Sequence, residues 1–84
     1  MTLPEEPVTL NAEQIRELNA RLATMRHDVN NNLSLMAAAV ELIRHRPETT
    51  ERMLDTLLEQ PRKISAAIQQ FSNEMETALG IKRP

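Results

Sequence analysis

The chain has 84 residues, a formal net charge of −2, no cysteine, one glycine and one aromatic residue, Phe71. A chain this short forms one small domain, and its lack of cysteine excludes disulfides and thiolate metal sites. Few residues are β-branched or aromatic, which argues against a sheet, and the charge gives no reason to expect nucleic-acid binding. No apolar run approaches the roughly 20 residues that cross a bilayer. We therefore expect a cytoplasmic, all-α protein that binds neither nucleic acid nor membrane.

Residues 1–10 are predicted to form a flexible N-terminal arm, because they contain two prolines and two glutamates and lack the basic start of a signal peptide. Asn11 then has the character of a helix N-cap. Gln14 stands three residues later as the reciprocal partner of a capping box, and Leu10 and Ile15 occupy the hydrophobic-staple positions. The first helix should therefore begin at about residue 11.

Alternating three- and four-residue spacings predict this helix over about residues 11–44. One position of the repeat holds Ile15, Leu22, Val29, Met36 and Ile43, and the other holds Leu18, Met25, Asn32 and Ala39. A repeat kept over four heptads is typical of a coiled-coil seam, the line along which helices pack.

The second helix is predicted over about residues 47–79, with Pro47 in its first turn. Its seam has the same spacing and holds Leu54, Leu57, Ile64, Ile68, Phe71, Met75 and Ala78. Pro61 falls on that seam, where it should bend the helix. Gly80 should end the helix in the left-handed conformation, and Lys82 and Arg83, in the tail 81–84, should lie near the negative end of the helix dipole.

The short connection between the helices makes them antiparallel neighbours, so residues 11–80 should form a helical hairpin. Two helices alone would leave a stripe of Leu, Ile and Met uncovered, because a chain of this size buries little core by itself. Pairing two hairpins would cover the stripe. We therefore expect a homodimer that forms a four-helix bundle.

The candidate functional residues lie in the first helix, in the segment His-Asp-Val-Asn-Asn-Asn-Leu at residues 27–33. Heptad counting directs His27 to solvent, with Asn30 and Asn31 one turn further on. It directs Asp28 towards the neighbouring helix and places Asn32 on the seam. An exposed imidazole can accept a phosphoryl group, a neighbouring carboxylate can hold its proton, and an amide at i+4 can orient water or a phosphoryl oxygen.

A simpler interpretation is that His27 is an ordinary surface histidine. His45, near the turn, lacks such neighbours and is interpreted in that way. Arg21, Arg26 and Arg44 are interpreted as solvated charges on the helix faces.

The segment resembles the H-box of sensor histidine kinases, in which a histidine is followed by an acidic residue, an aliphatic residue, two polar residues, a variable residue and leucine. The resemblance implies a dimerisation and histidine-phosphotransfer domain, a hairpin that dimerises into a four-helix bundle. It makes His27 the phosphoacceptor, Asp28 the assisting base and Asn31 the residue that promotes dephosphorylation of a partner. Asn32 departs from the common proline.

The partner implied by the resemblance is a response-regulator receiver domain, a separate histidine kinase or both, with Mg²⁺ on the receiver and no cofactor in this chain. The chain has no room for an ATP-binding domain, so it is not a complete kinase; it is either an excised domain or a free-standing relative. We expect a phosphotransferase or phosphatase module. The alternatives are a non-catalytic dimeric adaptor or inhibitor that binds a kinase or regulator, and a plain coiled-coil assembly domain.

Overall fold

The computed structural model describes residues 2–81 and contains two long helices, α1 over Ala12–His45 and α2 over Thr50–Leu79. Residues near the start of α1 contact residues near the end of α2, as in the pair Arg21 and Glu74. The helices are therefore antiparallel, and the predicted all-α hairpin is confirmed. Neither helix within the described residues is long and apolar enough to cross a membrane.

The start of α1 is fixed by the predicted capping box, which is present. The side chain of Asn11 accepts a hydrogen bond from the Gln14 backbone at 2.8 Å, and the Gln14 side chain accepts one from the Asn11 backbone at 2.9 Å. Two amide groups that the first turn would leave unpaired are thereby satisfied.

Arg46 and a 3₁₀ turn over Pro47–Thr49 connect the two helices. The α-helix α2 therefore begins at Thr50, three residues after Pro47. Arg46 has a φ of −138° and a ψ of 78°, outside the helical region that a following proline disfavours. The hydroxyl groups of Thr49 and Thr50 donate to the carbonyl oxygens of Arg46 and Pro47 at 2.7 and 2.6 Å. These bonds between residues three apart accompany the tighter 3₁₀ winding of the first turn.

The end of α2 is a Schellman motif around Gly80. Gly80 has a φ of 70°, which confirms the predicted left-handed residue. The amide of Ile81 donates to the carbonyl of Glu76 at 2.9 Å, and the amide of Gly80 donates to the carbonyl of Thr77 at 3.4 Å. Both bonds satisfy carbonyl groups of the last turn. The predicted positions of Lys82 and Arg83 lie outside the described residues.

The N-terminal arm lies beside this end of α2. Residues 2–11 are outside any helix, and residues 4–8 line an open cavity together with residues 77–80. Residues 4–8 of the arm and the last turn of α2 are thus at the same end of the molecule.

The hairpin is a single layer of two helices, measuring 58 × 29 × 11 Å. Each helix covers only one side of the other, so few side chains are removed from water. The buried residues of the described part are Asn32, Ala39 and Gln60. Asn32 and Ala39 hold the predicted seam positions of α1.

The predicted seam of α2 needs a correction. Pro61 is inside the helix but exposed, and Gln60, 2% exposed, takes the buried place beside it. Leu54 and Ile68, predicted on the same seam, are each 48% exposed. Positions 54, 61 and 68 repeat every seven residues and lie about 100° round the helix from the line that faces α1. They form the edge of a separate apolar face.

Candidate functional site

His27 lies in the middle of α1, and its side chain is 82% exposed, as its heptad position predicts. Asp28 is the next residue along the helix, and its Oδ1 atom is 3.5 Å from Nδ1 of the imidazole. This arrangement directs Nδ1 towards a carboxylate. A proton on Nδ1 leaves the lone pair of Nε2 available to a ligand in solvent.

Asp28 connects the histidine to a groove between the helices. From α1 the groove is lined by Asp28, Asn31 and Asn32, and from α2 by Lys63, Ala66, Ala67 and Gln70; its volume is about 350 Å³. Asp28 also borders a smaller cavity of about 90 Å³ further towards the start of α1. The structure thus brings Asp28 and Asn31 to one groove, whereas His27 contacts Asp28 but is not among the lining residues.

The three consecutive asparagines point in three directions, because successive helical residues are about 100° apart. Asn30 is exposed and lies outside the groove, Asn31 lines the groove, and Asn32 is 7% exposed in the seam. Only Asn31 among them combines solvent exposure with a place beside Asp28. That position suits an amide that contacts a bound partner.

Lys63 is a groove residue that the sequence analysis missed. Its Nζ atom is 3.3 Å from Oε1 of Glu59, one turn earlier on α2, and its side chain is 52% exposed. The place of Lys63 follows from the register of the two helices, which the sequence alone does not give. In an antiparallel hairpin, a contact between residues 21 and 74 places position 63 opposite position 32.

Arg21, predicted as a solvated charge, instead joins the two helices. Its guanidinium donates to Glu74 of α2 at 2.8 Å and to Glu17 of α1 at 2.9 Å. The hydrogen bond with Glu17 and the charge of Glu74 raise the pKa of Arg21 above its ordinary value. Arginine is charged at any ordinary pH, so the shift does not change its charge in the working range.

The described residues contain no group of three or more His, Asp or Glu side chains that could hold a metal ion. His45, the other histidine, has Nε2 3.7 Å from Oε2 of Glu41 and lies at the far end of α1, away from the groove. The residues three and four positions from His45 include no amide side chain.

Comparisons with known proteins give no match to a family model, a curated protein or a solved structure.

Proposed function

We propose that this chain is a histidine phosphotransfer module of two-component signalling, resembling the dimerisation and histidine-phosphotransfer domain of histidine kinases. The observation that carries the proposal is the exposed imidazole of His27 with Asp28 at its Nδ1 and with Asn31 in the adjoining groove. Phosphoryl transfer requires mainly positioning and charge neutralisation, so a helix face with these three groups is sufficient for the acceptor side.

In the proposed reaction, the Nε2 lone pair of His27 attacks the phosphorus of an aspartyl phosphate on a receiver domain. The N–P bond forms as the O–P bond breaks, and the bonding electron pair leaves with the aspartate as a carboxylate. The resulting imidazolium keeps its Nδ1 proton towards Asp28, whose charge stabilises it. The same steps in reverse return the phosphoryl group, with Mg²⁺ bound by the receiver.

Asn31 supports a phosphatase activity of the same surface. Its amide would orient a water molecule for attack on the aspartyl phosphate of a docked receiver, which releases inorganic phosphate and the free carboxylate. This role requires an amide that faces the partner, and Asn31 lines the open groove.

The proposed active form is a homodimer arranged as a four-helix bundle. The chain exposes 6610 Å², whereas a compact monomer of this length would expose about 5,100 Å². The excess exceeds the roughly 800 Å² per partner of a standard interface. Large apolar side chains are exposed on one face of the hairpin, and they include Ile15, Leu33, Val40, Leu54, Leu58 and Ile68.

A second function is favoured by the same apolar face. A hairpin from a separate kinase would cover it as well as a second copy of this chain would, and the chain would then be a non-catalytic adaptor or inhibitor. In that case His27 would have no catalytic role, and its loss would leave binding unchanged.

A label-transfer assay tests the first function. Receiver domains from the same genome, carrying radioactive phosphate on aspartate, are mixed with the wild-type chain and with His27→Ala. We expect acid-labile, base-stable label on the wild type only. Label that appears equally on His27→Ala would contradict the assignment, and His45→Ala is the matched control that should keep the wild-type level.

If every receiver keeps its radioactive phosphate, the adaptor function is favoured. Binding of the same receivers, and of the helical hairpin of a histidine kinase, would then be measured with wild type and His27→Ala. An adaptor should bind equally well in both forms.

A further inference from the structure

The groove beside His27 contains a cation that the proposed reaction does not use. Lys63 is the single lysine of the described residues, and it stands on the α2 wall, in the groove lined by Asp28 and Asn31 of α1. The other charged residue of the lining is Asp28 itself. A negatively charged partner that approaches His27 therefore meets one carboxylate and one ammonium group on this chain.

The present partner of Lys63 binds it weakly. Glu59 lies one turn away on the same helix, and both side chains are more than half exposed at an Nζ–Oε1 distance of 3.3 Å. Ion pairs of this kind contribute little, because water screens them and two long side chains must be ordered. Lys63 can therefore exchange Glu59 for a stronger anion.

The surroundings of Lys63 leave space for such an anion. Ala66 and Ala67 are the next α2 residues of the groove lining, and their small side chains keep it open. Arg21, the cation further along the interface, is occupied by Glu17 and Glu74. Among these two cations of the helix interface, Lys63 is the one held only by a neighbour on its own helix.

We propose that Lys63 is the anion-binding residue of this groove: in the docked complex its ammonium leaves Glu59 and binds an anionic oxygen of the partner that exchanges a phosphoryl group with His27. The oxygen belongs either to the phosphoryl group or to a carboxylate beside it. This inference rests on the proposed function. It adds a recognition residue on α2 to the three residues on α1.

The test measures the affinity of receiver domains, phosphorylated and unphosphorylated, for the full chain and for four variants. Lys63→Gln should weaken binding about tenfold, since a hydrogen bond to a charged group is lost, and Lys63→Arg should restore most of it. Glu59→Gln should bind as tightly as wild type or more tightly, because it removes the competitor. Arg62→Gln, a neighbouring exposed cation outside the groove lining, is the matched control and should match wild type.

A structural role for the Glu59–Lys63 pair predicts a different result, in which Glu59→Gln and Lys63→Gln weaken binding together. That result, or equal binding by Lys63→Gln and wild type, would overturn the inference. Weakening limited to the phosphorylated receiver would assign the phosphoryl oxygen, and equal weakening of both forms would assign a carboxylate.

Failure of the proposed function can be distinguished from failure of this inference. Phosphoramidate, a small phosphoryl donor, is incubated with the chain alone to test whether His27 accepts a phosphoryl group without a partner. If His27 is labelled but receiver binding does not depend on Lys63, only the inference is overturned. Unlabelled His27 with Lys63-dependent binding overturns the transfer reaction and keeps only the recognition part of the inference, namely that Lys63 binds an anionic oxygen of the receiver. Absence of binding by every receiver overturns the inference.

Discussion

At the scale of single residues, the direction in which a side chain leaves the helix decides whether it lines the groove. Asp28 follows His27 in the sequence and contacts its Nδ1 atom. Asn30 and Asn31 are also neighbours in the sequence, but only Asn31 lines the groove. The chain therefore offers natural controls in which the same residue type occurs inside and outside the groove.

The carboxylate of Asp28 should be required for efficient transfer to His27. Asp28→Asn keeps the shape and removes the charge that stabilises the imidazolium, so we expect the rate of label transfer to fall by about 100-fold. Asp55→Asn, an exposed aspartate on α2 that lines none of the interhelical grooves described above, should transfer at the wild-type rate. An unchanged rate in Asp28→Asn would show that the 3.5 Å contact has no role in the reaction.

Asn31 should affect the loss of phosphate from a receiver more than the labelling of His27. We expect Asn31→Ala to slow the release of inorganic phosphate by about tenfold, because one positioning hydrogen bond is removed. Asn30→Ala is the matched control and should release phosphate as wild type does. Equal loss in both variants would place the effect in the helix rather than in the groove.

At the scale of helices, the interface between α1 and α2 is unusual in burying two amide side chains. Gln60 donates from Nε2 to the carbonyl of Thr56 at 3.2 Å, while its Oε1 atom is buried without a hydrogen-bond partner. Counted from the contact of Arg21 with Glu74, Gln60 lies within about one turn of Asn32. This layer adjoins the groove, whose lining includes Asn32, on the side of the connecting turn.

Gln60→Leu should stabilise the chain. The substitution replaces a buried acceptor that lacks a donor with an apolar group of similar size, and we expect the free energy of unfolding to rise by about 1 kcal/mol. Thermal unfolding followed by circular dichroism at 222 nm measures it, at one fixed protein concentration. Gln70→Leu, at an exposed position of the same helix, should change stability little; a destabilised Gln60→Leu would mean that the amide is satisfied in solution.

The sequence predicted the helices and the direction of His27 but not which side of α2 faces α1. The capping box and Gly80 mark helix ends through local chemistry, and the heptad repeat of α1 has one dominant apolar stripe. On α2 two neighbouring stripes are apolar, and the line that faces α1 includes Gln60 and Glu74, which a hydrophobic pattern does not select. Contacts across the helices, such as that of Arg21, also need the register set by the connecting turn.

At the scale of the whole molecule, a layer 11 Å thick cannot enclose a core. The uncovered face carries Leu58, 69% exposed, between Leu54 and Ile68. The opposite face has the polar groove, so the two faces of the hairpin differ in what they can bind. Assembly and partner recognition would then use separate surfaces.

Disruption of the apolar face should separate the proposed dimer. Leu54→Glu combined with Ile68→Glu places two charges on that face, and we expect sedimentation equilibrium at micromolar concentration to change from the mass of two chains to that of one. Leu35→Glu is the control, because Leu35 is also exposed but lies seven residues from Asp28, on the side of the groove. A wild-type chain that sediments as a monomer would contradict the four-helix bundle.

The hairpin also brings the N-terminal arm and the last turn of α2 together, at the opposite end of a 58 Å molecule from the turn at Pro47–Thr49. Because both walls of the groove are whole helices, the groove depends on how the helices meet and not on which is synthesised first. A circular permutation that joins these neighbouring ends and opens the chain at the turn would put α2 before α1 and keep both walls. The site is therefore independent of the order in which its two halves are connected.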